Sequence, residues 1–165
     1  MSENPFDYSE NDATVVLVDD ESMVLDSLRS FLELETEYEV VGFTDPREAL
    51  EWAGTGRADV VVSDFLMPGT NGIEVLRAYQ EKQPHAPRVL LTGYADKESA
   101  IRAINEVGLF QYIEKPWDNE RLLIVLRNAL ERRFLVKALQ EKIAEIDAAR
   151  GELSGLQQDI LRTFI

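Results

Sequence analysis

Residues 59–72 read DVVVSDFLMPGTNG, and this stretch decides the fold. Its apolar, β-branched run over 60–63 is typical of a strand buried on both faces. Asp64 follows that run directly and is therefore expected at the carboxyl end of the strand. Residues 68–72 are rich in Pro, Gly and Asn, which favour a turn. Because ligands of open α/β sheets bind beyond the carboxyl ends of the strands, Asp64 is a candidate for chemistry.

Strand and helix patterns alternate five times along the chain. With right-handed crossovers, this alternation predicts an α/β fold in which helices cover both faces of a parallel sheet. In the fourth helix, Asp96 is expected to cap the amino end, and Ile101 and Ile104 are expected to face inward. The predicted strands cover residues 14–18, 38–43, 60–63, 88–91 and 109–113, and the predicted helices begin near residues 22, 46, 72, 97 and 118.

Composition limits the class of protein. A length of 165 residues fits one ordinary domain with an extension of a few dozen residues. The net charge of -14 and the pI of about 4.4 argue against a nucleic-acid-binding surface, which needs clustered Lys and Arg. The absence of cysteine excludes disulfides and zinc–thiolate sites. No apolar run approaches the ~20 residues of a membrane span, and the polar start does not resemble a signal peptide, so a cytoplasmic protein is expected.

The chain after residue 118 has a different character. It consists of good helix formers apart from Gly151 and Gly155, each of which weakens a helix by roughly 1 kcal/mol. A seven-residue repeat begins at Val136, and seven of its nine core positions are apolar, which predicts a dimeric coiled coil. The alternative is a solvent-exposed connecting helix within a longer protein. The core positions are Val136, Leu139, Ile143, Ile146, Arg150, Leu153, Gln157, Ile160 and Phe164.

Charged and hydroxyl side chains follow four of the five predicted strands. Asp19 and Asp20 come after the first strand, Asp64 after the third, Thr92 after the fourth and Lys115 after the fifth. In a parallel sheet these side chains gather at one edge, where three carboxylates repel each other and need a positive charge. Mg²⁺ suits such a site because it binds carboxylates, water and phosphate oxygens. A carboxylate beside bound Mg²⁺ can also attack a phosphoryl group and form an aspartyl phosphate.

Four motifs carry a resemblance to a known family. They are LVDDE at 17–21, SDFLMPG at 63–69 followed by Asn71 and Gly72, LTG at 91–93 and EKPW at 114–117. In this order and spacing, the sequence resembles the receiver domains of bacterial two-component response regulators, relatives of the chemotaxis response regulator. The resemblance covers about residues 13–133. It implies a flavodoxin-like (βα)5 fold with a five-stranded parallel sheet in the order 2-1-3-4-5.

The organisation expected for the whole chain therefore has three parts. A flexible amino-terminal arm covers residues 1–13 and a receiver domain covers residues 14–133. A helical extension of the last helix, with the coiled-coil pattern, covers residues 134–165.

The resemblance also implies roles for the acidic residues. Asp64 matches the phosphoacceptor. Asp19 and Asp20 match the acidic pair that places Mg²⁺, and the backbone carbonyl of Leu66 matches a further metal ligand. Leu66 and Tyr94 occupy positions that in this family tune how fast water removes the phosphoryl group. Both side chains are bulky, so a slow loss is expected.

The remaining site residues match the part of the family that responds to the phosphoryl group. Thr92 matches the hydroxyl residue that hydrogen-bonds it, and Lys115 matches the lysine that pairs with one of its oxygens. Tyr112 matches the aromatic residue that swings inward when the threonine moves, although an aromatic side chain in this strand can equally be part of the core. Gly93 is a departure, because the family most often has alanine there.

The function implied by the resemblance is a phosphorylation-controlled switch that catalyses only its own phosphorylation and dephosphorylation. A histidine kinase or a phosphotransfer protein would supply the phosphoryl group. The change would pass through the face formed by the fourth helix, fifth strand and fifth helix into the long last helix. The expected output is homodimerisation through that helix, a partner protein, or an output domain outside this sequence.

Two alternatives belong to other classes. The first is an unphosphorylated scaffold that keeps the receiver fold for docking and dimerisation, but such proteins usually lack at least one of the site residues present here. The second is a Mg²⁺-dependent phosphohydrolase with an aspartyl nucleophile. That class resembles Asp-x-Asp at the nucleophile, and here Leu66 occupies the position of the second acid.

Overall fold

The main sheet has five parallel strands, and its topology confirms the predicted α/β fold. The computed structural model describes residues 13–93 and 96–164. The strands of this sheet are β1 (Thr14–Val18), β2 (Glu39–Phe43), β3 (Val60–Asp64), β6 (Arg88–Thr92) and β7 (Gln111–Glu114), while β4 (Leu66–Met67) and β5 (Thr70–Asn71) form a small antiparallel hairpin. The order in the main sheet is β2-β1-β3-β6-β7, which is the predicted order 2-1-3-4-5 once the hairpin is left out.

Helices follow the strands of the main sheet, and local signals explain where some of them begin. The Asp45 carboxylate accepts a hydrogen bond from the Arg47 N–H at the start of α2. The Asn71 side chain accepts one from the Glu74 N–H at the start of α3, so both acceptors satisfy N–H groups that a helix leaves open. The helices are α1 (Ser22–Glu35), α2 (Pro46–Trp52), α3 (Gly72–Lys82), α4 (Lys97–Val107) and α5 (Asn119–Phe164).

Helix α4 packs differently from the prediction. Ile101 is 46% exposed, so the prediction that it faces the core is wrong, and Ile104 is only half-buried. Small side chains let the helix lie close to the sheet on a neighbouring stripe, and the buried residues of α4 are Ala100, Ala103 and Val107. Asp96 occupies the N-cap position, but its side chain caps no N–H group in the described part of the chain.

The two strands at the centre of the site are buried along their whole length. Both β3 and β6 lie between neighbouring strands and beneath helices, which explains their unbroken runs of apolar residues. In the ladder Asp64 lies opposite Leu91, and Thr92 lies opposite Glu114. This register places the carboxyl ends of β3, β6 and β7 at one level.

The amino-terminal end of β6 carries a buried guanidinium. Arg88 is 9% exposed and donates hydrogen bonds of 2.9–3.2 Å to four backbone carbonyls. Those carbonyls belong to Pro84, Ala86, Val107 and Gly108. The side chain therefore ties the loop before β6 to the end of α4.

The chain divides between Arg133 and Phe134 into two compact units. The arm was predicted over residues 1–13, and residues 1–12 lie outside the described residues. Ala13, the last residue of that prediction, is buried, and its carbonyl accepts a hydrogen bond from the Glu39 N–H at 2.9 Å. The second unit is helical throughout its described part, residues 134–164. Among the described residues, no helix combines the length and apolar character needed to cross a membrane.

Candidate functional site

The carboxyl edge of the sheet brings the predicted site residues together. Asp64 is the last residue of β3 and Thr92 the last residue of β6, while Asp19 and Lys115 directly follow β1 and β7. Because these strands are parallel, their carboxyl ends meet at one edge of the sheet. The local reason is the same in each case: an apolar run fills the interior and a polar residue comes where the strand leaves it.

Three carboxylates form a cluster at this edge. One oxygen from each of Asp19, Asp20 and Asp64 lies within 4.8 Å of the others. Asp19 and Asp64 are buried, and Asp20 is half-buried. Like charges this close and this poorly solvated destabilise each other.

Asp19 shows the electrostatic consequence. Burial, opposed by the hydrogen bond from the Glu21 N–H and reinforced by the charges of Asp64 and Asp20, raises the pKa of Asp19 to about 6. Its Oδ1 accepts the Glu21 N–H at 2.9 Å. Its Oδ2 is buried and has no hydrogen-bond partner among the described residues, with the Lys115 Nζ 3.9 Å away. This oxygen is available to a ligand.

The donor set fits a hard divalent cation. Mg²⁺ takes oxygen ligands and usually one or two carboxylates, which the cluster of Asp19, Asp20 and Asp64 supplies. The unpartnered Asp19 oxygen and the raised pKa both indicate that this cluster lacks positive charge. Leu66 lies two residues after Asp64 at the start of the hairpin, and the use of its carbonyl as a ligand stays a prediction. Tyr94 lies outside the described residues.

Lys115 provides the nearest positive charge to Asp64. Its Nζ lies 2.8 Å from Asp64 Oδ1, and the same oxygen accepts the Phe65 N–H at 3.0 Å. The ammonium also lies 5.9 Å from the centre of the Trp117 ring. The Lys115 ammonium and the Phe65 N–H thus hold Oδ1 of Asp64 and orient its carboxylate toward the edge of the sheet.

Thr92 is the least satisfied polar side chain of the site. The residue is fully buried, and its Oγ1 has no hydrogen-bond partner in the part of the chain that the structure describes. Buried hydroxyl groups nearly always have a partner, because leaving one unpaired costs free energy. A free donor at the end of β6 suits a ligand that carries acceptor oxygens.

Tyr112 lies on β7 between the core and the surface. It is half-buried and packs against the main hydrophobic core. It also lines a cavity of about 330 Å³ together with Gln111, Glu114 and Arg121. The position is compatible with both interpretations made from the sequence, because the ring has core contacts and adjoining space.

Gly72 is a site residue whose role the sequence did not reveal. A Cβ atom at this position would overlap the carbonyl oxygen of Asp64. The Gly72 N–H donates to the Phe65 carbonyl at 2.7 Å, and the Ser63 hydroxyl donates to the Asp64 carbonyl at 3.0 Å. Only glycine lets the start of α3 approach the backbone of Asp64 this closely. A glycine in the first helical position after an N-cap asparagine was the available signal.

A groove of about 710 Å³ opens beside the site. It lies between α1 and the segment after β7, and its wall includes Lys115. Met23, on α1, lines the groove and is 83% exposed. The other apolar lining residues are Val24, Leu28, Pro116 and Trp117.

The fold and site identify the class of protein. The chain matches the family model of the response regulator receiver domain over residues 15–127, so it belongs to that family. Receiver domains of two-component response regulators act in phosphorylation-dependent signalling and bind Mg²⁺ at an acidic site.

Individual relatives are consistent with this assignment. The chain is 36% identical over 127 residues to the hydrogenase transcriptional regulatory protein HoxA of Cupriavidus necator, a match that covers 77% of this chain and 26% of HoxA. It is 30% identical over 152 residues to the transcriptional regulatory protein FixJ of Bradyrhizobium diazoefficiens, which covers 92% of this chain and 73% of FixJ. A response regulator receiver domain from Clostridium thermocellum superposes with a TM-score of 0.70 at 32% identity, over 75% of this chain and 98% of that one.

The chain is shorter than many of its curated relatives. It spans about a quarter to a third of the length of HoxA and of three further relatives.

Proposed function

We propose that this chain is a phosphorylation-dependent signalling switch that accepts a phosphoryl group on Asp64. The observation that carries the proposal is the arrangement around Asp64: Lys115 lies 2.8 Å from its carboxylate, two further carboxylates adjoin it, and the buried Thr92 hydroxyl has no partner among the described residues. A nucleophile, a cation site and an unused donor are the parts that phosphoryl capture needs.

The transfer follows from the chemistry of the carboxylate. A carboxylate oxygen of Asp64 attacks the phosphorus of a phosphohistidine on the partner, an O–P bond forms, and the N–P bond to the imidazole breaks. The leaving imidazole nitrogen takes up a proton. The Lys115 ammonium and the Thr92 hydroxyl then donate hydrogen bonds to oxygens of the new aspartyl phosphate.

Asp19, Asp20 and Asp64 would hold Mg²⁺, with the Leu66 carbonyl as a further ligand. When bound, the ion offsets the negative charge of the carboxylates and of the phosphoryl oxygens. The residues of the chain do the rest: Asp64 supplies the nucleophile, Lys115 orients it, and burial at the strand ends limits the access of water.

The phosphoryl donor would be a histidine kinase or a phosphotransfer protein. The groove beside the site offers that partner an apolar surface, because Met23 is exposed there and Trp117 lies next to it. Its wall also includes Lys115, so a partner seated in the groove lies close to the nucleophile. A cytoplasmic location stays a prediction.

The response would begin at Thr92 and Lys115 and spread to the face formed by α4, β7 and α5. Lys97 of α4 and Glu114 of β7 form an ion pair at 2.9 Å on this face, and Tyr112 adjoins a cavity there. Movement of the loops after β6 and β7 toward the phosphoryl group would rearrange these contacts. Helix α5 begins on this face and continues to Phe164, so a change there can pass along it.

The output of the switch would be homodimerisation through α5, a partner protein, or an output domain. Two facts support an output beyond the receiver domain. The relatives with longer chains are named as regulatory proteins, and the extension after residue 133 carries an exposed apolar seam.

The test is the intact mass of the protein after incubation with Mg²⁺ and a small acyl phosphate. We expect one phosphoryl group on the wild type and none on Asp64→Ala or after chelation of the metal. Asp26→Asn, an exposed acid on α1, is the matched control and should label like the wild type. Labelling that persists in Asp64→Ala would contradict the proposal. A protein that never labels would favour the scaffold function.

The same time course measures the lifetime of the phosphoryl group. Slow loss is predicted from the bulk of Leu66 and Tyr94, and the side chain of Leu66, two residues after Asp64, is 59% exposed. A lifetime of seconds would contradict this prediction.

A further inference from the structure

The helical segment after residue 133 presents to solvent a mostly apolar seam, which Arg150 and Gln157 interrupt. Its core positions repeat every seven residues from Val136, alternating between the a and d positions of a coiled coil. The seam residues that are 50–60% exposed are Leu139, Ile143, Ile146, Leu153 and Ile160. An apolar seam that runs through four heptads and lies open in the single chain requires a covering partner.

The residues beside the seam are compatible with a second copy of the same chain. In a parallel, in-register pair, each g position meets the e position five residues later in the other chain. At the e and g positions of this segment the charged residues are Lys142 at g and Asp147 at e. In the parallel pair, Lys142 of one chain meets Asp147 of the other, and their charges are opposite. Leu156 and Leu161, exposed by 58% and 60%, meet in the same way as an apolar pair.

The polar seam positions are compatible with the same arrangement, and Gln157 favours it. In register, Gln157 faces Gln157 of the second copy, and two amides can hydrogen-bond to each other. Arg150 likewise faces its counterpart, and its long side chain can reach water past the neighbouring Ala149 and Gly151. A fully overlapped antiparallel pair would instead set Arg150 against Ile146 and Gln157 against Leu139. That arrangement would bury polar groups against aliphatic ones.

The two glycines do not interrupt this surface. Gly151 and Gly155 fall at positions b and f of the repeat, on the side away from the seam. A Cβ atom at either position would meet nothing within 4 Å. They lower helix stability without removing a contact from the seam.

We propose that residues 136–164 pair with a second copy of this chain as a parallel, in-register, two-stranded coiled coil. The inference deepens the proposed output of the switch but does not depend on phosphorylation. The pairing brings the amino ends of the two helical segments side by side. Lys142 and Asp147 set the orientation, and the Gln157 layer sets the register.

The absence of cysteine from the chain permits a direct test of orientation. Gln157→Cys in the full chain should form an intermolecular disulfide on mild oxidation, because the two thiols face each other only in the parallel register. Gln158→Cys, one residue further on and directed outward, is the matched control and should cross-link only at the rate of random collision. Sedimentation should give the mass of two chains.

Other results would overturn the inference in distinguishable ways. A disulfide that forms only when Leu139→Cys and Gln157→Cys chains are mixed would show an antiparallel pair. A trimer mass would exclude the two-stranded coil. No disulfide above the control, with the mass of one chain, would exclude self-association. None of these results bears on the labelling of Asp64, which is measured separately.

The charge pair gives a second, smaller test. Lys142 lies 3.3 Å from Glu145 on its own helix, so its charge is shared between two partners. We expect Lys142→Glu to weaken the dimer by about two- to fivefold, the scale of exposed ion pairs counted twice by symmetry. Adding Asp147→Lys should restore most of the affinity in the parallel pair. A double variant weaker than the single one would contradict the pairing.

Discussion

The two ends of strand β6 hold buried polar side chains whose hydrogen bonds differ: those of one side chain are made and those of the other are not. At the amino end, the Arg88 guanidinium donates to four backbone carbonyls. At the carboxyl end, four residues further along the same strand, the Thr92 hydroxyl has no partner among the described residues. One strand thus carries a polar group that completes the fold and another that the fold leaves open.

The difference distinguishes polar groups that stabilise the fold from polar groups that can bind a ligand. A buried polar group with all its hydrogen bonds made ties chain segments together and has no capacity left for a ligand. A buried polar group without partners lowers the stability of the free protein and gains when a ligand supplies the missing contact. The carboxyl edge has three groups of this second kind or close to it: Thr92, the Oδ2 of Asp19, and Asp64, whose charge is offset by Lys115 alone among the described residues.

The largest expected effect on stability comes from removing the hydrogen bonds at the amino end of β6. Arg88→Met keeps the aliphatic part of the side chain but leaves four carbonyls without their donor. We expect the free energy of unfolding to fall by about 3–5 kcal/mol. Urea unfolding followed by circular dichroism measures the change.

Arg47→Met is the control for Arg88→Met. The Arg47 side chain is 85% exposed and bonds to the Asp45 carboxylate. An exposed pair of this kind contributes at most about 1 kcal/mol. Equal losses in the two variants would show that the backbone contacts of Arg88 do not stabilise the fold.

A smaller effect of opposite sign is expected at Asp19. Its pKa is raised from 3.8 to about 6, so the folded protein holds the proton more tightly than the unfolded chain does. The ionised carboxylate therefore destabilises the metal-free protein at pH values above about 6. This cost develops between about pH 4 and pH 6 and disappears only below about pH 3, where both states are protonated. Asp19→Asn removes the charge and keeps an oxygen for the Glu21 N–H.

The measurement is urea unfolding against pH with the metal chelated. We expect Asp19→Asn to exceed the wild type by roughly 2–3 kcal/mol at pH 7.5 and by less than about 1 kcal/mol at pH 4. Asp26→Asn should follow the wild type throughout. A difference between Asp19→Asn and the wild type that grows as the pH falls would have the wrong sign and would contradict the electrostatic account of the cluster.

Local sequence signals predicted most of the fold and the strand ends of the site. Apolar runs indicated the strands, and Asp64 and Lys115 follow such runs directly, so their place at the carboxyl edge required only a parallel sheet. The strand order came from the family resemblance. The run of helix-forming residues after residue 118 predicted the long helix, because helix propensity needs no knowledge of distant contacts.

The features that the sequence did not predict depend on distant parts of the chain. The sequence predicts Arg88 only as the first residue of a strand. Its hydrogen-bond partners come from the preceding loop and from the end of α4. The apolar character of Ile101 predicted that it faces the core. Helix α4 instead approaches the sheet closely through the face that carries its small alanine residues. The importance of Gly72 depends on a backbone oxygen eight residues earlier. The free hydroxyl of Thr92 is visible only once its surroundings are built.

The smallest expected effect on stability is at Thr92, and it tests the contrast between Arg88 and Thr92 most directly. Thr92→Val replaces the unpartnered hydroxyl by a methyl group of nearly the same shape. Because no hydrogen bond among the described residues is lost, we expect the unphosphorylated protein to keep its stability or gain up to about 1 kcal/mol. Urea unfolding without a phosphoryl donor measures this change.

Thr36→Val is the matched control, since the Thr36 hydroxyl donates to the Leu32 carbonyl at 2.6 Å and accepts the Tyr38 N–H at 3.2 Å. The same substitution should cost about 1 kcal/mol there. Opposite signs at Thr92 and Thr36 would show that the hydroxyl of Thr92 is not kept for the stability of the fold. With Asp64 phosphorylated, the hydroxyl gains an acceptor, so Thr92→Val should also label normally yet lose the stabilisation that phosphorylation gives the wild type. If Thr92→Val is destabilised as much as Thr36→Val, the Thr92 hydroxyl stabilises the fold as Arg88 does, and the contrast between the two ends of β6 is wrong.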